Sequence, residues 1–313
     1  MNRMKSGLTS IALASALFRN FRASAQVVTS GPAAPEESAK SPAPFAGLAL
    51  SVALAVGASS GALAQGQNAD ELAKKLANPV AAMISVPFQF NYDGRIGPEK
   101  KGSRWTMNFQ PVIPFELNGE WNLISRTIVP LVTQRNIFPG AGTQSGVGDI
   151  IQSLFFSPSQ PGPGGVIWGI GPAFQLPTGN APLLGQGQWG VGPTAVVLTQ
   201  RGPWTVGALA NHIWSFASND DRNPYVNRTY INPFLSYGLG NGWSVSLSGD
   251  LTQDWRTNKF TSTVQTGISK VLTIDRQPIS VALNLRYQTQ TTRGGPHDFA
   301  VRSGVTFLIP TGN

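Results

Sequence analysis

The sequence predicts an all-β protein, a single antiparallel transmembrane β-barrel of about 12 strands, and three observations carry that prediction. Apolar and polar residues alternate with the two-residue period of a strand over most of the chain after position 81. Charged residues make up only 12% of the 313, about half the ~25% of a soluble domain, yet beyond residue 64 no apolar run approaches the ~20 residues of a membrane helix. The links between strand candidates alternate between long and short, as a barrel with two different membrane faces requires and a soluble sandwich does not.

Residues 1–64 read as an export segment. Phe45–Ala58 is an Ala- and Leu-rich core, and the small residues ending Ala62-Leu63-Ala64 form an A-x-A site that predicts a mature start at Gln65. The region before this core is longer than a standard signal, with a second apolar run at Ile11–Phe18, and a start assigned too far upstream accounts for it. Residues 65–80 form a periplasmic segment. Within it Asp70–Ala77 places Leu72 and Leu76 four apart with acids first, which predicts one or two helical turns stopped by Asn78-Pro79. A mobile tail and a small plug in the lumen are both open readings of this segment.

The barrel occupies residues 81–313. Its clearest strand is Trp243–Trp255, where Trp243, Val245, Leu247, Gly249, Leu251, Gln253 and Trp255 alternate with Ser244, Ser246, Ser248, Asp250, Thr252 and Asp254. Twelve steps of ~3.3 Å, tilted by about 45°, span roughly 28 Å, close to the ~25 Å apolar band of an outer-membrane barrel. The two Trp then sit at the two interfaces. Equally clean patterns occupy Ile84–Tyr92, Trp105–Phe115, Ile279–Tyr287 and Phe299–Ile309. Less regular candidates fill the space between: Trp121–Val132, Gly146–Phe156, Val166–Leu176, Trp189–Gln200, Trp204–Phe216, Arg228–Tyr237 and Thr263–Leu272. Links after odd strands are long and polar, for example Thr133–Ser145 and Pro177–Gln188. Those after even strands are mostly short, for example Arg201–Pro203 and Leu239–Gly242.

A lipid-facing Arg or Lys at mid-depth costs ~2–4 kcal/mol, so strand-borne charges are expected to face the lumen. That set is Arg126, Asp149, Asp250, Asp254, Lys270, Arg286 and Arg302, joined by Asn108, Gln110, Asn122 and Gln175. Two interiors fit it equally: a polar conduit whose charges select solutes, or a lumen filled by Arg–Asp pairs, which an Arg286–Asp250 or Arg302–Asp298 contact favours. The chain has no Cys, which excludes disulfides, Cys-ligated metals and a thiol nucleophile. His212 and Ser215 invite a check for a nucleophile–base pair, but their odd spacing puts them on opposite faces of a strand. No residue is assigned to catalysis, a cofactor or a metal. The net charge of +8 is dispersed over loops and the leader, which speaks against nucleic acid and for lipid headgroups or anionic solutes.

Several runs resemble the bacterial outer-membrane transporter family of the meta-pathway of phenol degradation, whose members are often labelled neuromedin U. They are Asn78-Pro79-Val80-Ala81, Ser85-Val86-Pro87-Phe88, Gln110-Pro111-Val112-Ile113-Pro114, Glu120 to Thr127, Gly148-Asp149, Phe155-Phe156-Ser157-Pro158, Trp168 to Pro172, Gly202 to Gly207 and Asn211 to Ser215. The resemblance covers nearly everything from Asn78 to Pro310. It implies passive passage of small aromatic or otherwise hydrophobic solutes through the outer membrane, with lipids and the barrel-assembly machinery as partners. The chain runs on to Thr311-Gly312-Asn313 rather than ending on an aromatic residue, and Phe307 is the nearest substitute. The alternative function is a structural or surface-interaction barrel with a closed lumen and binding outer loops.

Overall fold

The computed structural model describes residues 63–309 except 182 and 219–224. The predicted export core, with Ala62 of the Ala62-Leu63-Ala64 site, lies outside the described residues. A helix, α1 (Leu63–Leu76), precedes 12 barrel strands. These are β1 (Ile84–Ile96), β2 (Gly102–Phe109 and Val112–Glu116), β3 (Trp121–Arg135), β4 (Thr143–Val147 and Ile150–Pro158), β5 (Val166–Leu176) and β6 (Gln188–Arg201). The second half comprises β7 (Trp204–Ser218), β8 (Asn227–Gly240), β9 (Trp243–Asp254), β10 (Lys259–Ile274), β11 (Gln277–Gln290) and β12 (Phe299–Ile309). Each strand pairs antiparallel with its sequence neighbours, and β12 closes on β1 from Ile84↔Ile309 to Tyr92↔Val301. Closure joins the first and last strands, the condition for a sheet to cross a membrane, and the outer piece of β4, Thr143–Val147, pairs with β3 alone. The predicted fold and strand number are those observed.

Two strands are broken where the sequence explains it. Pro111 has no N–H for the ladder, so β2 kinks at Gln110-Pro111 while the Pro111 carbonyl still accepts from Thr127 N–H at 3.1 Å. In β4 the break falls at Gly148-Asp149 and frees the Asp149 carboxylate to turn toward a loop. The link between β10 and β11 contracts to Asp275-Arg276, both at positive φ (46° and 70°), as a two-residue type I′ turn demands.

Apolar side chains dominate the outward face: Ile170, Val197, Val206, Leu247, Ile268, Leu283 and Val301 are all exposed. All eight Trp sit in two girdles. Trp121, Trp168, Trp204 and Trp243 begin strands at the short-turn end; Trp105, Trp189, Trp214 and Trp255 lie at the long-loop end. Ring pairs Trp121–Trp168 (5.8 Å) and Trp204–Tyr237 (4.6 Å) reinforce the first girdle, and Tyr92–Trp105 (4.7 Å) the second. Aromatic side chains with one apolar and one wet end belong at the two interfaces of a bilayer.

Some boundaries differ from the sequence reading. β1 continues through Asp93 to Ile96 with a bulge, and the link predicted as Arg256–Ser262 shrinks to Trp255–Asn258 because β10 starts at Lys259. Alternation fades above the apolar band while backbone pairing needs no apolar side chain to continue. Helix α1 is also longer than Asp70–Ala77. Fourteen residues alone are marginal, but α1 docks: Ala69, Leu72, Ala73 and Leu76, spaced i, i+3, i+4 and i+7, pack on Val271 of β10 and Leu308 of β12. Burying Leu72 stabilises the docked state by ~1.5–3 kcal/mol.

Candidate functional site

Three layers fill the interior. At the short-turn end the inward residues Ile124, Phe155, Val196, Leu198 and Leu209 form an apolar floor, joined by Val80 from the segment after α1. On the other side of the same opening α1 lies against β8, β9 and β10, where Gly242 N–H donates to the Asp70 carboxylate and the Gln200 side chain donates to the Lys74 carbonyl at 2.8 Å. The N-terminal segment therefore touches walls contributed by β3, β4, β6 and β7 through Val80 and by β10 and β12 through Leu72 and Met83.

Above the floor lies a belt of charge. Arg286 of β11 donates to Asp93 of β1 at 3.0 Å, reaching past β12, and its other terminal nitrogen lies 4.0 Å from Asp250 of β9. Arg302 of β12 lies 3.8 Å from the same Asp250 and donates through Nε to the Asn91 amide oxygen at 2.6 Å. Tyr230 and Asn232 of β8 donate to Asp250 at 2.6 and 3.2 Å. On the facing side Arg126 donates to Gln110 (3.3 Å), which in turn donates to Gln89 (3.0 Å). Contacts that skip whole strands are possible only from inward-pointing side chains. The belt thus holds three arginines and two carboxylates, an excess of one positive charge, and Arg286 Nε is buried without a hydrogen-bond partner among the described residues.

The third layer lies at the long-loop end. Here the β5–β6 link folds back over the opening: Gly179 and Gln186 donate backbone N–H groups to Asp149 (3.1 and 2.5 Å), and Gln134 donates to the Leu183 carbonyl at 3.3 Å. Arg104 donates to Gln134 (2.9 Å) and Arg228 to Gln175 (3.3 Å). At the rim, Arg95 pairs with Asp298 at 2.8 Å, tying the end of β1 to the last long link.

The structure brings Arg126, Gln110, Asp250, Arg286 and Arg302 together in the belt. It places Asp149 and Gln175 beneath the folded loop, Asp254 at the long-loop end where Thr257 N–H donates to it at 2.8 Å, and Asn122 near the floor beside Ser157. Asn108 pairs across the ladder with Gln89 and Pro130 above the belt's Gln110. Of the two expected ion pairs, Arg286–Asp250 is present, whereas Arg302 meets Asp250 instead of Asp298. Lys270 is a correction. It pairs across the ladder with Trp243 on the outward face, lies 5.1 Å over that indole ring and donates to the Asn241 carbonyl at the short-turn rim. A Lys within a turn of the interface reaches out of the apolar band along its methylene stem, so the mid-depth cost does not apply. The strand pattern does not single out Asn91, Asp93, Arg104, Arg228 and Tyr230 as site members; parity with Asn91 marks Asp93 as inward, but the clean alternation ends at Tyr92.

His212 and Ser215 leave opposite faces of β7. His212 points outward, its Nδ1 2.7 Å from Thr229 Oγ1 and its ring 4.0 Å from Trp214, while Ser215 Oγ accepts from Val226 N–H at 2.8 Å. The two side chains do not meet.

Known structures share this architecture. The COG4313 outer membrane channel from Pseudomonas putida F1 superposes with TM-score 0.60 at 14% identity, over 73% of this chain and 96% of that one. The NanC porin (TM-score 0.45, 9% identity, 72% and 98% covered) and outer membrane phospholipase A from Escherichia coli (0.44, 12%, 72% and 95%) are more distant. These likenesses concern the fold, which is that of outer-membrane barrels. No curated protein sequence matches. The family described as "Putative MetA-pathway of phenol degradation" matches residues 101–313, more than half of the chain, and the chain belongs to that family.

Proposed function

We propose that the barrel passes small solutes passively across the bacterial outer membrane, after export by its leader and insertion by the barrel-assembly machinery, and that the N-terminal segment stoppers its short-turn end. The observation that carries this reading is the contrast within one lumen. The floor shows that this interior is filled with apolar side chains where only filling is needed, whereas the belt keeps three arginines and two aspartates at a desolvation cost that well-packed apolar residues would avoid. Charge retained at such a cost belongs where solutes pass. Family membership favours aromatic or otherwise hydrophobic solutes. The Arg286–Asp250 contact favours the second reading, a closed structural barrel whose outer loops bind partners.

Ion selectivity separates the two. With an excess of one positive charge the belt is expected to favour anions, and neutralising Arg126, Arg286 and Arg302 together to Gln is expected to move the reversal potential in a salt gradient toward cations. A reversal potential unchanged by the triple substitution would show that these arginines do not face a conducting path.

A further inference from the structure

We propose that the layer at the long-loop end is a binding site for a small organic carboxylate with an apolar body. The proposal rests on the channel reading only in requiring that solutes reach the interior from this end. A cavity of about 360 Å³ lies beneath the folded β5–β6 link, within the ~300–1,000 Å³ range of small-molecule pockets. Its wall combines two guanidinium groups, Arg104 and Arg228, and the Asp149 carboxylate with an apolar surface of Pro130, Val132, Ile151 and Leu184.

The unspent hydrogen-bond donors of this cavity decide the ligand. Three carboxylates lie near enough to attract the arginines, but each makes its hydrogen bonds to other groups. Asp93, the ladder partner of Arg104, is held by Arg286 at 3.0 Å; Asp254, the ladder partner of Arg228, accepts from Thr257 N–H at 2.8 Å. Asp149 accepts from the N–H groups of Gly179 and Gln186. The hydrogen bonds that orient Arg104 and Arg228 end instead on the neutral amide oxygens of Gln134 and Gln175. Each guanidinium has five N–H donors and uses one here on an amide, so donors remain beside the cavity. A planar carboxylate matches that fork in two-point geometry, and the apolar wall takes a hydrocarbon or aryl body. Acetate lacks the body and a neutral alcohol lacks the charge.

Calorimetric titration of the folded barrel with benzoate, acetate and benzyl alcohol tests this without any need for flux. Benzoate is expected to bind more tightly than either control, and R104Q/R228Q is expected to weaken it by about tenfold or more, as loss of charge-assisted bonds implies. A second pair of variants avoids the barrel wall. Leu183 is 52% exposed at the mouth with φ +67°, a conformation Asn and Asp both tolerate. L183D is expected to weaken benzoate relative to L183N, which differs from it only in charge. Equal benzoate affinity in L183D and L183N, in wild type and R104Q/R228Q, or equal affinity for acetate or benzyl alcohol, overturns the proposal. A barrel that binds benzoate but conducts nothing retains the site and loses the channel; one that conducts but binds no benzoate does the reverse.

Discussion

Locking α1 to the barrel wall is expected to hold the channel shut. Lys74 and Gln200 meet through a 2.8 Å hydrogen bond from the Gln200 side chain to the Lys74 backbone carbonyl, and the chain contains no native Cys, so K74C/Q200C places the only two thiols of the chain on α1 and β6 for oxidative crosslinking. The segment is held by Asp70 on Gly242 and by the burial of Leu72, Val80 and Met83. Each such side chain contributes ~1.5–3 kcal/mol, and every ~1.4 kcal/mol changes the open population tenfold. The oxidised pair is therefore expected to conduct at least about tenfold less than the reduced one, and deletion through Ala77 to conduct at least about tenfold more than wild type. Equal conductance in the oxidised, reduced and deleted forms would show that the segment covers no path.

Removing the shared carboxylate is expected to have the second largest effect, this time on stability. Asp250 accepts from Tyr230 and Asn232 and neutralises part of the charge on Arg286 and Arg302, with side chains of the three charged residues only 10–19% exposed. Taking one partner from a buried pair costs ~3–5 kcal/mol, because the remaining charge stays desolvated. D250A should therefore lower the urea midpoint of the refolded barrel strongly, and D250N, which keeps the shape and part of the hydrogen bonding, less. A loss below ~1 kcal/mol is the value of a solvated pair and would show that the belt is bathed in water in the resting barrel. Coupling between D250A and R302Q in a double-mutant cycle separates the ion pair from the loss of packing.

The strand pattern made most of the barrel legible. Trp243–Trp255 alternates so cleanly that the face carrying Ser244, Ser246 and Asp250 is identified before any neighbour is known, and the structure turns that face inward. Lys270 shows where one rule overrode another. Its parity with Val264 and Ile268 marks it as outward, but the cost of a lipid-facing charge was applied without regard to depth, and at the rim that cost vanishes. The belt itself was beyond reach of sequence. Arg302 chooses Asp250 over the nearby Asp298 because barrel tilt and stagger bring β12 and β9 side chains to one level, and register across several strands is set by the closed sheet rather than by any local run. The docking of α1 was hidden for a similar reason: Leu72 and Leu76 announce an apolar helix face, and only the barrel supplies Val271 and Leu308 to meet it.

Single-channel recording of the refolded mature protein in planar bilayers, beside solute-driven swelling of liposomes, tests passage through this lumen most directly. Discrete, anion-favouring conductance steps, enlarged by deletion through Ala77, are the predicted result. A barrel that shows neither conductance nor solute flux with its N-terminal segment removed would contradict it.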